Sequence, residues 1–324
     1  MHSSTLRRAA IGCALVAAIA FPASAAAKSV GASLRVEATN GKILADVTQY
    51  TSPATVRTDP KAHCFGAGSG GSGDRVKVPN PTALSLVADA LARVPRLRPL
   101  SITDHFAFGL GVCGIGGQIG GHPDPFWNIT RNHVAAEVGG DQLRVRNGDH
   151  ILWYLAPSFP VGDELALKAP ARARPDQPVP VKVLAYTDKG RRKPAAGASV
   201  EFATRPTNAR GKTNLVFPSA GHTSVQATRR GAIPSARLRV CVDAHPSRCP
   251  SRRGRTILGS PGADRIATTA ANDHVGAGAG TDRISIRAPG ADKVGCGPGR
   301  DVVIADRGDH DDTIGASCEK VIRK

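Results

Sequence analysis

Aspartates recur at nearly equal spacing close to the end of the chain. They are 9, 9, 10 and 9 residues apart, at positions Asp264, Asp273, Asp282, Asp292 and Asp301. A glycine precedes most of them by two residues, and the candidate carbonyl donors are Gly262, Gly280 and Gly299. Calcium is a hard cation that takes six to eight oxygen ligands. The spacing therefore predicts repeated turns whose carboxylate and carbonyl oxygens bind calcium.

The same repeat predicts the strands that position these turns. An aliphatic residue follows each aspartate by two positions, as Ile266 follows Asp264. A unit of about nine residues with one turn and one short strand is one half-coil of a parallel β-roll. Successive units alternate between the two edges of the roll. Calcium is therefore expected between Asp264 and Asp282, between Asp273 and Asp292, and between Asp282 and Asp301.

The stretch from Gly259 to Cys318 resembles the RTX, or haemolysin-type, repeat G-G-x-G-x-D-x-U-x. The resemblance covers about 60 residues and implies calcium binding. The chain departs from the repeat before Asp273, where Thr268, Thr269 and Ala271 replace the glycines. The alternative is a β-solenoid that has the same coils without metal.

The first 27 residues have the pattern of a signal peptide. Arg7 and Arg8 precede an apolar stretch, residues 9–21, that is too short for a membrane span. Small residues at 23–25 and 25–27 offer cleavage sites. The remaining sequence has no apolar run of membrane length. The sequence therefore predicts a secreted, extracellular protein without a membrane span.

Six cysteines follow the signal peptide, at Cys64, Cys113, Cys241, Cys249, Cys296 and Cys318. An even number in an exported chain predicts disulfides, and six cysteines allow 15 pairings. If each region closes its own bridge, the pairs are Cys64–Cys113, Cys241–Cys249 and Cys296–Cys318. Zinc is the alternative, but the chain has no C-x-x-C motif.

Positive charge is concentrated in the middle of the chain. Residues 162–255 contain 19 basic and 6 acidic side chains, whereas residues 256–324 contain 9 and 10. Such a field favours acidic cell-surface polymers as partners. The basic linker, residues 243–257, has no interleaved aromatic residues, so no specific nucleic-acid partner is expected. The alternative is a basic surface that is merely solvated.

Residues 28–160 are predicted to form one α+β domain. Asn40-Gly41 lies between alternating apolar and polar residues, which predicts a hairpin, and residues 80–94 have a helical pattern. Three strands are predicted in residues 126–132, 139–145 and 148–154. With Trp127 and Trp153, these stretches resemble the transcobalamin C-terminal-like domain, which implies a β-grasp-like fold. His133 stands where that family has glycine.

This resemblance suggests a second function, a small-molecule-binding module displayed at the cell surface. Trp127 and Trp153 are the candidate stacking residues, and the ligand is unknown. The alternative is that both tryptophans pack in the core.

Residues 161–242 are predicted to form a β-sandwich, since short strands alternate with turns. Residues 207–213 and 220–227 resemble the bacterial Ig-like pattern, which implies a spacer or a binding platform. The overall fold class is then mainly β and multidomain, with residues 258–324 as the β-roll.

No catalytic motif is present, so the protein is predicted not to be an enzyme. It is expected to be a monomeric, calcium-binding surface or matrix protein. A buried cluster of titratable residues with shifted pKa values would favour an enzyme instead.

Overall fold

The computed structural model describes residues 29–324 except residues 40, 122, 251, 309 and 310. The predicted signal peptide, residues 1–27, lies outside the described residues. Strands account for 43% of the described residues and helix for 5%, so the mainly β fold class is confirmed. Three disulfides are present, and they join the three pairs expected if each region closes its own bridge: Cys64–Cys113, Cys241–Cys249 and Cys296–Cys318.

The first region contains ten strands and one helix. The strands are β1 (Val30–Glu37), β2 (Ile43–Thr51), β3 (Ala54–Arg57), β4 (Arg75–Val78), β5 (Leu100–Phe106), β6 (Gly109–Ile115), β7 (Gln118–Ile119), β8 (Phe126–Arg131), β9 (Val134–Ala135) and β10 (His150–Ala156). β1 and β2 form the hairpin predicted around Asn40-Gly41, and β1 also pairs with β10 in parallel. A 3-10 turn, Pro95–Leu97, precedes β5.

Helix α1 (Ala83–Ala90) is shorter than the predicted segment 80–94. Its N-cap is Thr82, whose hydroxyl accepts a hydrogen bond from the Ser85 N–H, and the Ser85 hydroxyl accepts the Thr82 N–H in return. This capping box satisfies two N-terminal donors and starts the helix at Ala83, three residues after Asn80. The apolar face of the helix packs on β2.

The strand predicted over residues 139–145 is wrong. This segment is a turn with one bridging residue, Arg144, which pairs with Thr82. A Cβ at Gly140 would lie 2.4 Å from the Trp153 ring, so the turn passes directly over that side chain. The glycines and Asp141 favour a turn, and the apolar alternation in Leu143 and Val145 instead reflects burial against the core.

The middle region contains nine strands around its own hydrophobic cluster. They are β11 (Glu164–Lys168), β12 (Arg172–Ala173), β13 (Val179–Tyr186), β14 (Arg192–Pro194), β15 (Ser199–Val200), β16 (Lys212–Leu215), β17 (Gly221–Val225), β18 (Ala227–Thr228) and β19 (Leu238–Val242). β13 pairs with β11, β14 and β16, whereas β19 pairs with β12 and β17. A 3-10 turn, Pro246–Arg248, lies within the small disulfide loop.

The last region is a stack of short parallel strands in two sheets, which we call the C-terminal coil. Its strands are β20 (Thr256–Leu258), β21 (Arg265–Ala267), β22 (His274–Gly276), β23 (Arg283–Ile286), β24 (Lys293–Gly295), β25 (Val302–Ala305), β26 (Thr313–Ile314) and β27 (Lys320–Arg323). The even-numbered strands form one sheet and the odd-numbered strands the other, so each strand pairs with the strand two units away. The aliphatic residues between the sheets form one core.

The coil begins as an extension of the first region. β20 pairs in parallel with β2, which makes one nine-stranded sheet from strands that lie more than 200 residues apart. The Gln49 amide donates to the Gly259 carbonyl at 3.1 Å. Residues 243–257 are therefore not wholly a linker, because Thr256 already belongs to β20. Arg253 in this segment donates to the carbonyls of Ala169 and Pro170 in the middle region, so its charge is not simply solvated.

Candidate metal centre

The five predicted aspartates lie in the turns of the coil, and all are at most 2% exposed. On each edge of the coil, successive turns are joined by aspartate carboxylates that accept hydrogen bonds from backbone N–H groups. On one edge, Oδ1 of Asp282 accepts the Asp264 N–H at 2.9 Å, and Oδ1 of Asp301 accepts the Asp282 N–H at 2.8 Å. On the other edge, Oδ1 of Asp292 accepts the Asp273 N–H at 2.8 Å. The three expected pairs are therefore brought together, and a backbone hydrogen bond joins each pair.

The second carboxylate oxygen separates the five residues into two groups. In Asp282, Asp292 and Asp301, Oδ2 is buried and accepts no well-formed hydrogen bond from the described part of the chain, although the Thr268 hydroxyl lies close enough to the Asp292 carboxylate to lower its pKa. A buried charged oxygen without a partner is costly, and native structures rarely leave one unpaired. These three oxygens are therefore open positions for a cation.

Asp264 and Asp273 have no such open oxygen, because a hydroxyl residue stands four positions before each. Oδ2 of Asp264 accepts the Ser260 N–H at 2.6 Å and lies 3.1 Å from the Ser260 hydroxyl. Oδ2 of Asp273 accepts the N–H and the hydroxyl of Thr269 at 2.6 and 2.8 Å, and its Oδ1 accepts the Arg255 N–H. The corresponding positions before the other three aspartates are Gly278, Ala288 and Gly297, which have no hydroxyl.

Glycine is required at two of the three predicted carbonyl positions. A Cβ at Gly299 would lie 1.6 Å from the Gly280 carbonyl oxygen, and a Cβ at Gly280 would lie 2.7 Å from the Gly262 carbonyl oxygen. Gly280 and Gly299 also have φ values of +122° and +152°. A Cβ at Gly262 would make only ordinary contacts, at 3.8 Å from the Ser260 hydroxyl oxygen and 3.9 Å from that of Ser52, so glycine is not required there. The Gly262 and Gly280 carbonyls thus lie directly against the glycine of the next turn on the same edge.

The pKa of Asp282 is raised to about 7, mainly by burial, and the nearby Asp264 and Asp301 carboxylates contribute to this rise. The Asp264 N–H and the Arg93 guanidinium oppose this rise. Burial also raises the pKa of Asp292 and of Asp264. The coil therefore holds carboxyl groups that resist ionisation unless a cation is close to them.

The donor set suits calcium better than a transition metal. Among the residues that the structure describes, no group of three or more His, Cys, Asp or Glu side chains could hold a metal ion. The open oxygens are carboxylate oxygens alone, from Asp282 and Asp301 on one edge and from Asp292 on the other. Oxygen-only ligands of this kind are preferred by calcium, whereas zinc requires nitrogen or sulfur ligands in most sites.

A second group of buried charges joins the first and middle regions, and the sequence pattern did not reveal it. The Glu164 carboxylate pairs with Arg35 at 3.2 Å and with Nδ1 of His133 at 3.1 Å, and it accepts the Thr130 hydroxyl. Nearby, Glu37 is fully buried, and neither of its carboxylate oxygens accepts a hydrogen bond from a described residue. Burial raises the pKa of Glu37 to about 7, and the Arg35 guanidinium partly opposes this.

His133 occupies the turn position where the resembled family has glycine. Asn132 and His133 have φ values of +55° and +68°, so both residues adopt the left-handed conformation that this hairpin requires. The His133 ring stacks on Tyr186 at 3.8 Å, which places the turn against the middle region. This contact between regions compensates for the strain of a non-glycine residue there.

The two tryptophans do not form an exposed stacking face. Trp153 is 1% exposed, and its Nε1 donates to the Ala83 carbonyl at 3.3 Å. Trp127 is half-buried against the same core. Core packing therefore explains Trp153 fully and Trp127 in large part.

No protein-family model matches the chain, and neither a curated protein nor a solved structure matches it. In the described residues, no helix is long and apolar enough to cross a membrane.

Proposed function

We propose that the protein is an exported, non-enzymatic surface or matrix protein whose C-terminal coil binds calcium and is stabilised by it. The observation that carries this proposal is the set of three buried carboxylate oxygens without hydrogen-bond partners, at Asp282, Asp292 and Asp301. The spacing of the same aspartates, which resembles the RTX repeat, points to the same ion. The resemblances of the first and middle regions to transcobalamin-like and Ig-like domains suggest modules that display or space a binding surface.

The energetic argument compares the coil with and without a cation. Asp264, Asp282 and Asp301 lie in stacked turns on one edge. The ionised carboxylates of Asp264 and Asp301 both raise the pKa of Asp282. Without calcium, the coil must either hold these charges unneutralised or bind protons. Calcium would neutralise the carboxylates through the free oxygens, with Gly262 and Gly280 carbonyls as further candidate ligands. Because this binding requires the folded coil, calcium should stabilise the folded state.

Thermal unfolding of the mature protein at pH 8 tests this proposal. Extracellular calcium modules bind with dissociation constants of about 0.1–1 mM. One such site should stabilise the folded state by about 1.4–2.7 kcal/mol at about 10 mM calcium. The melting temperature should therefore rise by several degrees relative to chelator, and magnesium at the same concentration should have a smaller effect. An identical melting temperature in calcium and chelator would identify the coil as a metal-free solenoid.

The middle region is the proposed contact for acidic cell-surface polymers, because most of the positive charge lies there. Arg191 and Arg192 are exposed on this region, whereas Arg265 and Arg283 are exposed on the coil. Replacing the first pair with serine should shift elution from an immobilised polyanion to lower salt. Replacing the second pair is the matched control and should have little effect, since the coil has no net positive charge. Equal shifts would show that total charge, not the middle region, determines binding.

A further inference from the structure

Arg93 brings a positive charge from the first region to the edge of the coil that holds Asp282 and Asp301. A Cβ at Gly276 would collide with Nη1 of Arg93, so the guanidinium lies directly against the main chain at the end of strand β22. A Cβ at Gly297 would lie 3.5 Å from Nη2 of the same side chain. Glycine at position 276 therefore leaves the space that the guanidinium occupies.

The guanidinium lies beside the position where the first turn on this edge has a hydroxyl. Gly297 stands four residues before Asp301, as Ser260 stands four residues before Asp264. Ser260 donates to Oδ2 of Asp264, whereas Oδ2 of Asp301 accepts no well-formed hydrogen bond from a described residue. Arg93 therefore lies at a turn whose carboxylate oxygen lacks a partner, without donating to that oxygen.

The charge of Arg93 acts on the carboxylates of this edge. Its guanidinium opposes the rise in pKa that burial causes in Asp282. On the other edge, burial and the Asp273 and Asp312 carboxylates raise the pKa of Asp292. Arg93 therefore gives the first of these edges a positive charge that comes from the protein itself.

Helix α1 fixes the place of Arg93. This residue follows the helix in a turn in which its N–H donates to the Ala90 carbonyl at 3.1 Å. One helical turn earlier, Oδ2 of Asp89 accepts the Thr51 hydroxyl at 2.7 Å and the Ser52 N–H at 3.4 Å. Thr51 ends strand β2, which is also the strand that pairs with β20 of the coil. The end of the helix and the coil are therefore attached to one strand, which holds the guanidinium at this edge.

We infer that Arg93 is a built-in counter-ion of the edge that holds Asp282 and Asp301, and that it lowers the affinity of this edge for calcium. A guanidinium is permanently charged, so it stabilises nearby ionised carboxylates and repels a second cation. The first effect requires no metal. The second effect rests on the calcium site proposed above, and the two effects are measured separately.

Calorimetric titration of the full-length mature protein with calcium at pH 8 tests the second effect. Arg93→Gln should bind calcium roughly three- to tenfold more tightly, because a unit charge close to the cation site has been removed. Arg93→Lys keeps the charge and should bind like the unmodified protein. Arg75→Gln is the matched control, because Arg75 is exposed on strand β4, which pairs with β3. It removes the same charge from the first region and should leave the affinity unchanged.

The melting temperature in chelator at the same pH tests the first effect. Arg93→Gln should lower it by roughly 1–3 °C, because the ionised Asp282 and Asp301 lose a counter-charge. The same substitution in the Asp282→Asn background should lower it by less, since one of the two carboxylates has already lost its charge. Arg93→Lys should restore most of the loss.

Two results would overturn the inference. Equal losses of melting temperature in both backgrounds, or no loss in either, would show that the charge of Arg93 does not act on Asp282. Calcium binding by the unmodified protein with an affinity that Arg93→Gln does not raise would contradict the competition and leave the proposed calcium site intact. If no variant binds calcium, the proposed function fails. A smaller loss in the Asp282→Asn background would then still support Arg93 as the counter-ion, and equal losses would overturn it.

Discussion

The first turns of the C-terminal coil and the turns that follow them share one sequence repeat, but their aspartate carboxylates differ in hydrogen bonding. In the first turn on each edge, Ser260 or Thr269 donates both its N–H and its hydroxyl to Oδ2 of the following aspartate. Before Asp282, Asp292 and Asp301, the same position is glycine or alanine, and Oδ2 of each of these three aspartates accepts no well-formed hydrogen bond from a described residue. A hydroxyl thus does in the first turns what a cation would do in the later ones.

The position of the first turns explains this difference. They adjoin strand β2 of the first region, through β20, and Tyr50 packs against the coil core. In a turn held by this neighbouring sheet, protein groups alone can supply the hydrogen bonds that the aspartate carboxylate requires. The later turns extend away from that support, and each unit adds only one or two aliphatic side chains to the core. Ordering the backbone and side chains of each residue costs about 1.5 kcal/mol, so such small units need a further source of stability.

Asp282→Asn should give the largest effect, and its sign should depend on calcium. In chelator at pH 8, the substitution removes a buried charge and should stabilise the protein by on the order of 1–3 kcal/mol. In about 10 mM calcium it removes a ligand and should abolish most of the calcium-dependent rise in melting temperature. Denaturant unfolding in both conditions measures this.

Asp264→Asn is the control for this variant, because both oxygens of Asp264 already have partners within the turn. It should destabilise the protein by a similar amount with and without calcium. If the two variants responded to calcium in the same way, the distinction between first and later turns would be wrong.

Glu37→Gln distinguishes the pH dependence of stability that comes from the coil from the part that comes from Glu37, the other buried carboxyl group with a pKa near 7. Since the folded-state pKa of Glu37 is about 7 and its ordinary value is 4.5, its contribution to stability is full below about 4.5 and is lost as the pH rises through 7. The pKa of Asp282 is raised in the same direction. Stability in chelator should therefore fall between pH 5 and 8.

Calcium should remove only the part of this slope that comes from the coil, and Glu37→Gln only the part that comes from the first region. The substitution should add on the order of 1–2 kcal/mol at pH 8 in either condition. The measurement is the free energy of unfolding across this pH range for both proteins. A slope unaffected by both changes would assign the pH dependence to other groups.

Adding or removing the hydroxyl four residues before an aspartate should give the smallest change in stability. It also compares the two kinds of turn most directly. Ala288→Ser places a hydroxyl four residues before Asp292 and should stabilise the protein in chelator by about 0.5–1.5 kcal/mol. Thr269→Ala removes one from Asp273 and should destabilise it by a similar amount. Ala288 has an ordinary negative φ, unlike Gly278 and Gly297, so it accepts the change without strain.

The calcium response should move in opposite directions in these two variants. Ala288→Ser should reduce the rise in melting temperature with calcium, and Thr269→Ala should increase it. An unchanged response in both would mean that the hydroxyl is not equivalent to a bound cation.

The repeat in the sequence predicted the coil well because its period fixes both sheets. Every second unit, 18 or 19 residues along the chain, returns to the same edge, so Asp264, Asp282 and Asp301 had to stack if the strands formed. The difference between these aspartates was not predicted. It depends on which atoms lie beside each second oxygen, and a spacing pattern contains no information about that.

The sequence pattern also did not predict the contacts that join distant regions of the chain. β2 has the alternation of an ordinary hairpin strand, and nothing in it marks the edge that accepts β20. The pair formed by Arg35 and Glu164 similarly links residues 129 positions apart. Long-range pairing of this kind is a property of the assembled sheets.

Calorimetric titration of the full-length mature protein with calcium at pH 7 tests the central claim most directly. Because the pKa of Asp282 is about 7, binding should release protons, and the observed heat should change with the ionisation enthalpy of the buffer. We expect saturable binding near millimolar calcium with proton release, and a loss of both in Asp282→Asn. An absence of binding heat in every buffer, or binding that persists unchanged in Asp282→Asn, would contradict the assignment of the free carboxylate oxygens to calcium.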